Sequence, residues 1–474
     1  MRNNLSKLFF WLFLISLPFG YRHLFFQFTP RFDEYEAVFL YASDILMVLF
    51  LFFFSLNLIQ TKPAFENQNL FPQRGKSSFP SPSLVPISSE HPARSGCGIF
   101  SQTGLVWLFV LFLFISIFFA SYKILALYNF IRLILLVLTA LSIAGLLKRG
   151  LLSLERILAV LAASAVFQSL LAFLQFFNQK SLGLRYLGES VLGAQIPGVA
   201  KIVVAGEKLI RAYGTFPHPN ILAAFLLLGL FSSYYFLSQS NFFEKKFSIK
   251  IPIVLAVFLI SLGLVLAFSR TAWFLGLALS LAYILFSKIS RRQALHILIT
   301  LFFVFFLIIS MLGGLIFPRA EISLADPSVD QRIAYNKLGW YLLSKNPLGI
   351  GLGNQVIYSV KNSLYQIFGM DQIWQWQPIH NIYLLIGSEI GVLGLIVFLI
   401  FIAWFLIGLA RSLIKNRNPE ISNLLLIVGL MLLSLLAFGL FDHFPWTLQP
   451  GRLMFWLILG IILGIKGEVV RPRS

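Results

Sequence analysis

Long blocks of apolar residues alternate with short polar connectors along the chain. The blocks cover roughly residues 8–28, 42–60, 105–121, 125–147, 154–178, 220–238, 251–268, 271–288, 297–317, 380–410, 422–441 and 452–465. Most run near twenty residues, the length at which a helix rising ~1.5 Å per residue crosses a hydrocarbon core of ~30 Å. Lipid offers no hydrogen-bond partner to bare backbone, so blocks of this length are expected as helices. The pattern predicts an all-α, polytopic integral membrane protein of about twelve transmembrane helices, residues 1–474 forming a single transmembrane domain. The first block follows Arg2 and Lys7 and is broken by Pro18 and Gly20. No small-residue cleavage site follows it, so it is read as a retained first span. No internal repeat is visible.

The connectors set the orientation. With the N-terminus inside, the inner connectors, both termini and the adjoining block ends hold 21 of the 37 Lys and Arg but only 6 of the 18 Asp and Glu. Basic pairs such as Lys148-Arg149, Lys245-Lys246 and Arg291-Arg292 sharpen the bias. Positive connectors stay cytoplasmic, so both termini are expected there.

Three connectors are long. The cytoplasmic stretch 61–104 is rich in Ser, Pro, Gln and Asn, as in Phe79-Pro80-Ser81-Pro82-Ser83, and reads as a disordered linker. The extracytoplasmic loop 179–219 contains two short β-prone runs, Ala200–Val204 and Lys208–Arg211, around Ala205-Gly206-Glu207, which predicts a small hairpin. The large extracytoplasmic loop 318–379 is expected to be partly helical. Residues 329–344 look helical, and Asn346-Pro347 should end that helix. After the glycine-rich run 349–353, Val356, Val360, Leu364 and Ile367 share one face of a second expected helix. Such helices would lie along the outer surface and roof a cavity.

Composition agrees with this class. Hydrophobic residues make up 58% of the chain, charged residues 12%, and Phe alone 51 positions; the mean hydropathy is +0.85. With one cysteine, Cys97, no intrachain disulfide or thiolate metal cluster can form. The net charge of +19 follows the topology, so it is read as an orientation signal and not as a nucleic-acid footprint.

Ionisable groups at membrane depth or at helix mouths are costly, which makes them the candidates for chemistry. On the external side, Arg211 precedes Ala212-Tyr213-Gly214-Thr215-Phe216-Pro217-His218-Pro219-Asn220, which opens a helix. Ser269-Arg270 sits in a nearly loopless turn, and His380-Asn381-Ile382-Tyr383 opens another helix. Two arginines and two histidines thus reach one membrane face. Arg grips phosphate oxygens bidentately, and a histidine can take a proton from an attacking hydroxyl. The set suits transfer from a lipid pyrophosphate with neither metal nor cofactor, guanidinium groups stabilising the leaving charge.

Each residue also has a plainer reading. Arg270 can snorkel to the interface, Arg211 can anchor its loop to headgroups, and His380 can be a helix-start residue. His218, between two prolines, reads as structural. Glu389 lies about 13 Å into its block at ~1.5 Å per residue and faces away from His380. Gly387, Gly391 and Gly394 read as a helix-packing stripe. The glycine-rich run follows no strand, which argues against a nucleotide loop. A rival site is acidic: Asp33, Glu34 and Glu36 in the first external loop, with Asp44 at the next helix start.

At these motifs the sequence resembles the O-antigen ligase and O-antigen polymerase superfamily of membrane glycosyltransferases. The matching pieces are Arg211 to Asn220, Ser269-Arg270 with Trp273, Asp330-Gln331-Arg332 with Trp340, Asn346 to Asn354, and His380 to Leu384 with Glu389, Gly391 and Gly394. Their order and spacing match over roughly residues 200–400. Thr271 follows Arg270 where many members have Gly, and the 61–104 linker is unusual.

The resemblance implies an enzyme of a bacterial inner membrane. It would transfer a glycan from undecaprenyl pyrophosphate to a glycan, glycolipid or protein acceptor on the extracytoplasmic face. It implies His380 as base, Arg211 and Arg270 as pyrophosphate ligands, and Arg332 as a substrate contact; His218 and Asn381 are further possible contacts. Ligase, polymerase and protein glycosyltransferase remain open, as does a transporter or flippase of lipid-linked sugars, which would need the same basic cavity but no proton acceptor.

Overall fold

The computed structural model describes residues 2–29, 34–60, 102–204, 206–239, 247–320 and 327–468. Helix α1 (Arg2–Ser16) leads into a hairpin of β1 (Arg22–Gln27) and β2 (Ala37–Tyr41), followed by α2 (Ala42–Gln60). Then come α3 (Gln102–Phe119), α4 (Lys123–Lys148) and α5 (Leu154–Asn178). A second hairpin, β3 (Lys201–Val204) and β4 (Glu207–Ile210), precedes α6 (Pro219–Leu237). Next are α7 (Phe247–Leu266), α8 (Arg270–Phe286) and α9 (Arg291–Ala320). Helix α10 (Pro327–Lys345) and the short helices α11 (Gln355–Lys361) and α12 (Leu364–Ile367) follow. The chain closes with α13 (Ile382–Lys415), α14 (Pro419–Phe438), α15 (Phe444–Thr447) and α16 (Gln449–Glu468).

Among the described residues, α4, α5, α6, α9, α13 and α14 are long and apolar enough to cross a membrane. Parts of α1, α2, α3, α7, α8 and α16 form shorter apolar helices. Each of the twelve apolar blocks therefore contains a helix, the first of them only in its first half. The expected linker lies outside the described residues as far as residue 101.

The first block is shorter than expected as a helix. It stops at Ser16, and its second half is strand β1, paired antiparallel with β2 from Arg22↔Tyr41 to Gln27↔Ala37. Pro18 and Gly20 end the helix, and the β-prone Phe25 and Phe26 continue extended. The second helix of the large loop is also split. Ser363 adopts a left-handed conformation (φ 54°), so α11 and α12 are separate and Ile367 is exposed.

Helix α6 is the central pillar: nearly every side chain from Pro219 to Leu237 is buried, which explains a sequence apolar on all sides. Its N-terminus sits at the candidate site. The preceding loop is held by two glutamines, seven residues apart on one face of α5. Gln168 accepts from Thr215 N (2.9 Å) and donates to Thr215 Oγ1 (3.0 Å). Gln175 accepts from Tyr213 N and Gly214 N at 3.0 and 2.8 Å. Gly214 has φ 59°, and a Cβ there would lie 2.3 Å from Gln168 Oε1, so only glycine fits.

Below His380, α13 is broken at Gly391 (φ 80°, ψ 171°). The glycine-rich loop of residues 346–353 inserts at the break. Ile350 N donates to Ser388 O and Gly351 N to Glu389 O, both at 2.9 Å, while Val392 N returns a bond to Pro347 O at 2.9 Å. The expected packing stripe is here a docking joint. A Cβ on Gly391 would meet Pro347 O at 2.7 Å, whereas Gly387 packs against Leu343.

Candidate active site

The loop ends around α6, α8, α10 and α13 enclose a cavity of about 690 Å³. Arg211, His218, Asn220, Arg270, Arg319, Arg332, Tyr335, His380 and Asp442 are among its lining residues.

Arg211 extends β4, its N donating to Ala200 O at 3.0 Å. Its side chain is only 7% exposed. Nε donates to Ala267 O and Nη2 to Asn220 Oδ1, each at 2.8 Å. The turn that carries Ala267 also receives Ala212 N at Leu266 O (3.0 Å), which ties the β4 exit to the start of α8. Burial, with the cations of Arg319 and Arg332 nearby, lowers the Arg211 pKa to about 9.

Arg270 is the first residue of α8, and its Nε donates to Arg319 O at 2.7 Å. Arg319, at the top of α9, and Arg332, on α10, complete the ring of guanidinium groups; Arg332 Nε donates to Phe441 O at 3.2 Å. With Lys201, five cations among the described residues line the cavity against one carboxylate, Asp442.

His380 lies two residues before α13. Its Nδ1 is 2.9 Å from Pro378 O. A carbonyl only accepts, so Nδ1 carries the proton and Nε2 keeps its lone pair. The ring stacks on Tyr335 and meets His443 edge-on, with centroids 4.4 and 4.8 Å apart. Tyr335 is fixed in turn by donating to Gln375 O at 2.5 Å. Burial lowers the His380 pKa below the ordinary value, Arg332 adds to this, and Asp442 opposes it. His380 is therefore neutral at neutral pH.

Asp442, in the loop after α14, accepts from Asn220 Nδ2 (2.8 Å) and from His443 N (2.8 Å). Burial works against its charge, yet His443, His380, His218 and the Asn220 amide hold its carboxyl below the usual range. The Asn220 amide thus joins Arg211 on one side to Asp442 on the other.

The remaining candidates have structural partners. His218 is the N-cap of α6, its Nδ1 accepting from Asn220 N at 3.2 Å, with Pro219 at the first helical position. Burial pushes its pKa down to about 3. Asn381 caps α13 by accepting from Tyr383 N (3.0 Å) and Leu384 N (3.2 Å), and it does not line the cavity.

The acidic group is dispersed into separate contacts. Glu34 pairs with Arg22, Glu36 accepts from Thr29 Oγ1 at 2.7 Å, and Asp44 accepts from Tyr41 N at 3.1 Å and from Gln449 at 2.5 Å. Asp33 lies outside the described residues. Glu389 accepts from Trp446 Nε1 at 2.9 Å, away from the cavity.

Sequence reasoning missed Arg319, Tyr335, Asp442 and His443. The Asp442-His443 pair carries a signal that could have found it: an acid beside a histidine at a helix mouth, in a chain with only 18 acidic residues.

Residues 255–399 match the O-antigen ligase family. The matched segment runs from within α7 to within α13 and contains Arg270, Arg332 and His380, but not Arg211 or Asp442. The match covers under a third of the chain; with the apolar helices it supports a membrane transferase of O-antigen or polysaccharide biosynthesis. It implies, broadly, a glycosyltransferase-type enzyme that uses a lipid-linked glycan donor. No curated protein matches the chain.

Proposed function

We propose that the chain transfers a glycan from undecaprenyl pyrophosphate to a hydroxyl of a glycan, glycolipid or protein acceptor, on the extracytoplasmic face of a bacterial inner membrane. The observation that carries this reading is the convergence of Arg211, Arg270, Arg319, Arg332 and His380 on one cavity from five separate stretches of sequence. A surplus of guanidinium groups suits an anionic leaving group, and a neutral imidazole with a free Nε2 suits a proton acceptor.

In this mechanism the acceptor oxygen attacks the anomeric carbon as its proton passes to His380 Nε2. The bond from that carbon to the phosphate oxygen breaks, and its electron pair leaves with the lipid pyrophosphate, whose charge Arg211 and Arg270 meet. Attack opposite the leaving group inverts the anomeric centre in one displacement. Asp442 balances the imidazolium that forms, and Tyr335 holds the ring.

The test is transfer and donor binding on the same purified protein, using a lipid-pyrophosphate glycan and a panel of acceptors. His380→Ala should lower turnover by ~10²–10⁴-fold and leave donor affinity near wild type. Transfer within a few-fold of wild type would make His380 a helix-start residue only. Binding and translocation of the donor, without transfer to any acceptor, would favour the transporter reading.

A further inference from the structure

The turn shortly before His380 is held from several sides and presents one large aromatic side chain outward. Residues Ile373–Gln375 form a single 3-10 turn. Gln372 N donates to Gln375 Oε1 at 2.9 Å, part of a reciprocal cap across the turn. Tyr335, which stacks on His380, donates to Gln375 O in the same turn. Trp376 faces inward: its Nε1 donates to Met370 O at 3.1 Å, and its ring stacks on the buried Tyr365. Gln377 Nε2 donates to Trp374 O at 3.0 Å, and Gln377 O accepts from Tyr365 at 2.7 Å. Trp374, between these anchors, is 60% exposed and still lines the cationic cavity. Its indole therefore stands at the rim.

Exposed apolar residues are ordinary on their own, and tryptophans also anchor loops at a membrane interface. Ile367, exposed and outside the cavity, suits such an anchor. Trp374 differs in the company it keeps. The cavity it lines also carries the amides of Gln331 and Gln377 and the guanidinium of Arg332. A pyranose uses both chemistries: its ring C–H bonds form an apolar face that can lie flat on an indole, and its hydroxyls pair with amide and guanidinium groups. A phosphate needs only the cations. A rigid flat ring on a fixed turn also loses little conformational entropy on binding. We propose that Trp374 is the platform on which a pyranose ring of the donor or acceptor glycan stacks at the cavity rim; this rests on the glycan substrate proposed above.

Saturation-transfer NMR on the purified protein reads the contact without any transfer. The probes are the glycan released from the lipid-pyrophosphate donor and the saccharides of the acceptor panel. Ring C–H protons of at least one probe should receive saturation from the wild type and from Trp374→Phe. Trp374→Ala and Trp374→Leu should both lose it, since leucine keeps an apolar side chain but no flat face. Ile373→Ala, half-exposed on the same turn and outside the cavity, should change nothing. Affinities then assign the source. For a donor sugar, Trp374→Ala should weaken the glycan-bearing donor about three- to tenfold and leave sugar-free polyprenyl pyrophosphate unchanged. For an acceptor sugar, the same factor should appear in the KM of the saccharide acceptor. Full retention by Trp374→Leu, equal losses for sugar-bearing and sugar-free donors, or no effect of Trp374→Ala would overturn the platform, and normal transfer by that variant would leave the transferase reading intact. Saccharide contact in a protein that transfers no glycan would support the platform and overturn the transferase reading.

Discussion

The imidazole of His380 lies flat on the phenol ring of Tyr335, with centroids 4.4 Å apart and planes 7° from parallel. Tyr335 is fully buried and comes from α10, whereas His380 lies just before α13, so a helix of the 318–379 loop fixes the ring presented at the start of α13. Stacked aromatic pairs contribute about 0.5–1.5 kcal/mol beyond their area. Tyr335→Leu removes the stack and should lower kcat about two- to tenfold with little change in KM. Tyr335→Phe keeps the ring and loses the bond to Gln375 O, so it should stay closer to wild type. Steady-state kinetics on both variants checks this. A pure KM effect for Tyr335→Leu would mean that the ring contacts substrate instead of positioning His380.

The pH profile follows from His380. It acts as a base when neutral, and burial lowers its pKa below the ordinary histidine value. Activity should therefore hold at neutral pH and fall only on acidification below the ordinary histidine range. The pH dependence of kcat/KM measures this on the free enzyme. An acid limb at or above the ordinary histidine range would assign the base to another group.

Much of this arrangement was legible in the chain. Helix positions followed from apolar block length, since the bilayer sets one length for all of them. Arg211, Arg270, Arg332, His218 and His380 stood out because charge at a helix mouth needs a reason, and the fold brings those five to one cavity. What stayed hidden depends on contacts between distant segments. Gly391 reads as a small residue in a helix until the loop of residues 346–353 is seen to hydrogen-bond across the break. Asp442 stands beside His443 at a helix mouth, but its place in the site comes from Asn220, 222 residues earlier. The β1 strand was lost because its phenylalanines raise hydropathy as a transmembrane run does, while its backbone pairs with β2.

Orientation has its own test. The excess of Lys and Arg on the connectors assigned to the inside predicts that residue 85 is cytoplasmic and residue 365 extracytoplasmic. Reporter fusions at those two points should give opposite readouts. The same side for both would mean that the number of crossings between them is even, and that the cationic cavity and the linker share a compartment.

Asp442 gives the sharpest separation of binding from rate. Among the described residues lining the cavity it is the one carboxylate, against Lys201 and four arginines. Asp442→Asn preserves shape and an acceptor for Asn220 Nδ2, so Arg211 should keep its partner at Asn220 Oδ1. The cavity becomes more positive, and the pyrophosphate donor should bind as well as before or more tightly. Transfer should nevertheless slow, because the imidazolium formed on His380 loses its counter-charge. A nearby opposite charge shifts a pKa by about 1–3, or on the order of 1–4 kcal/mol, which predicts a kcat loss of roughly ten- to several-hundredfold. The acid limb of the profile should also move to lower pH, since the Asp442 charge raises the His380 pKa. Donor Kd and the pH dependence of transfer, measured on the one variant, separate the possibilities. Weaker donor binding with an unmoved acid limb would make Asp442 a scaffold for Asn220 and Arg211 alone, with no electrostatic part in the transfer step.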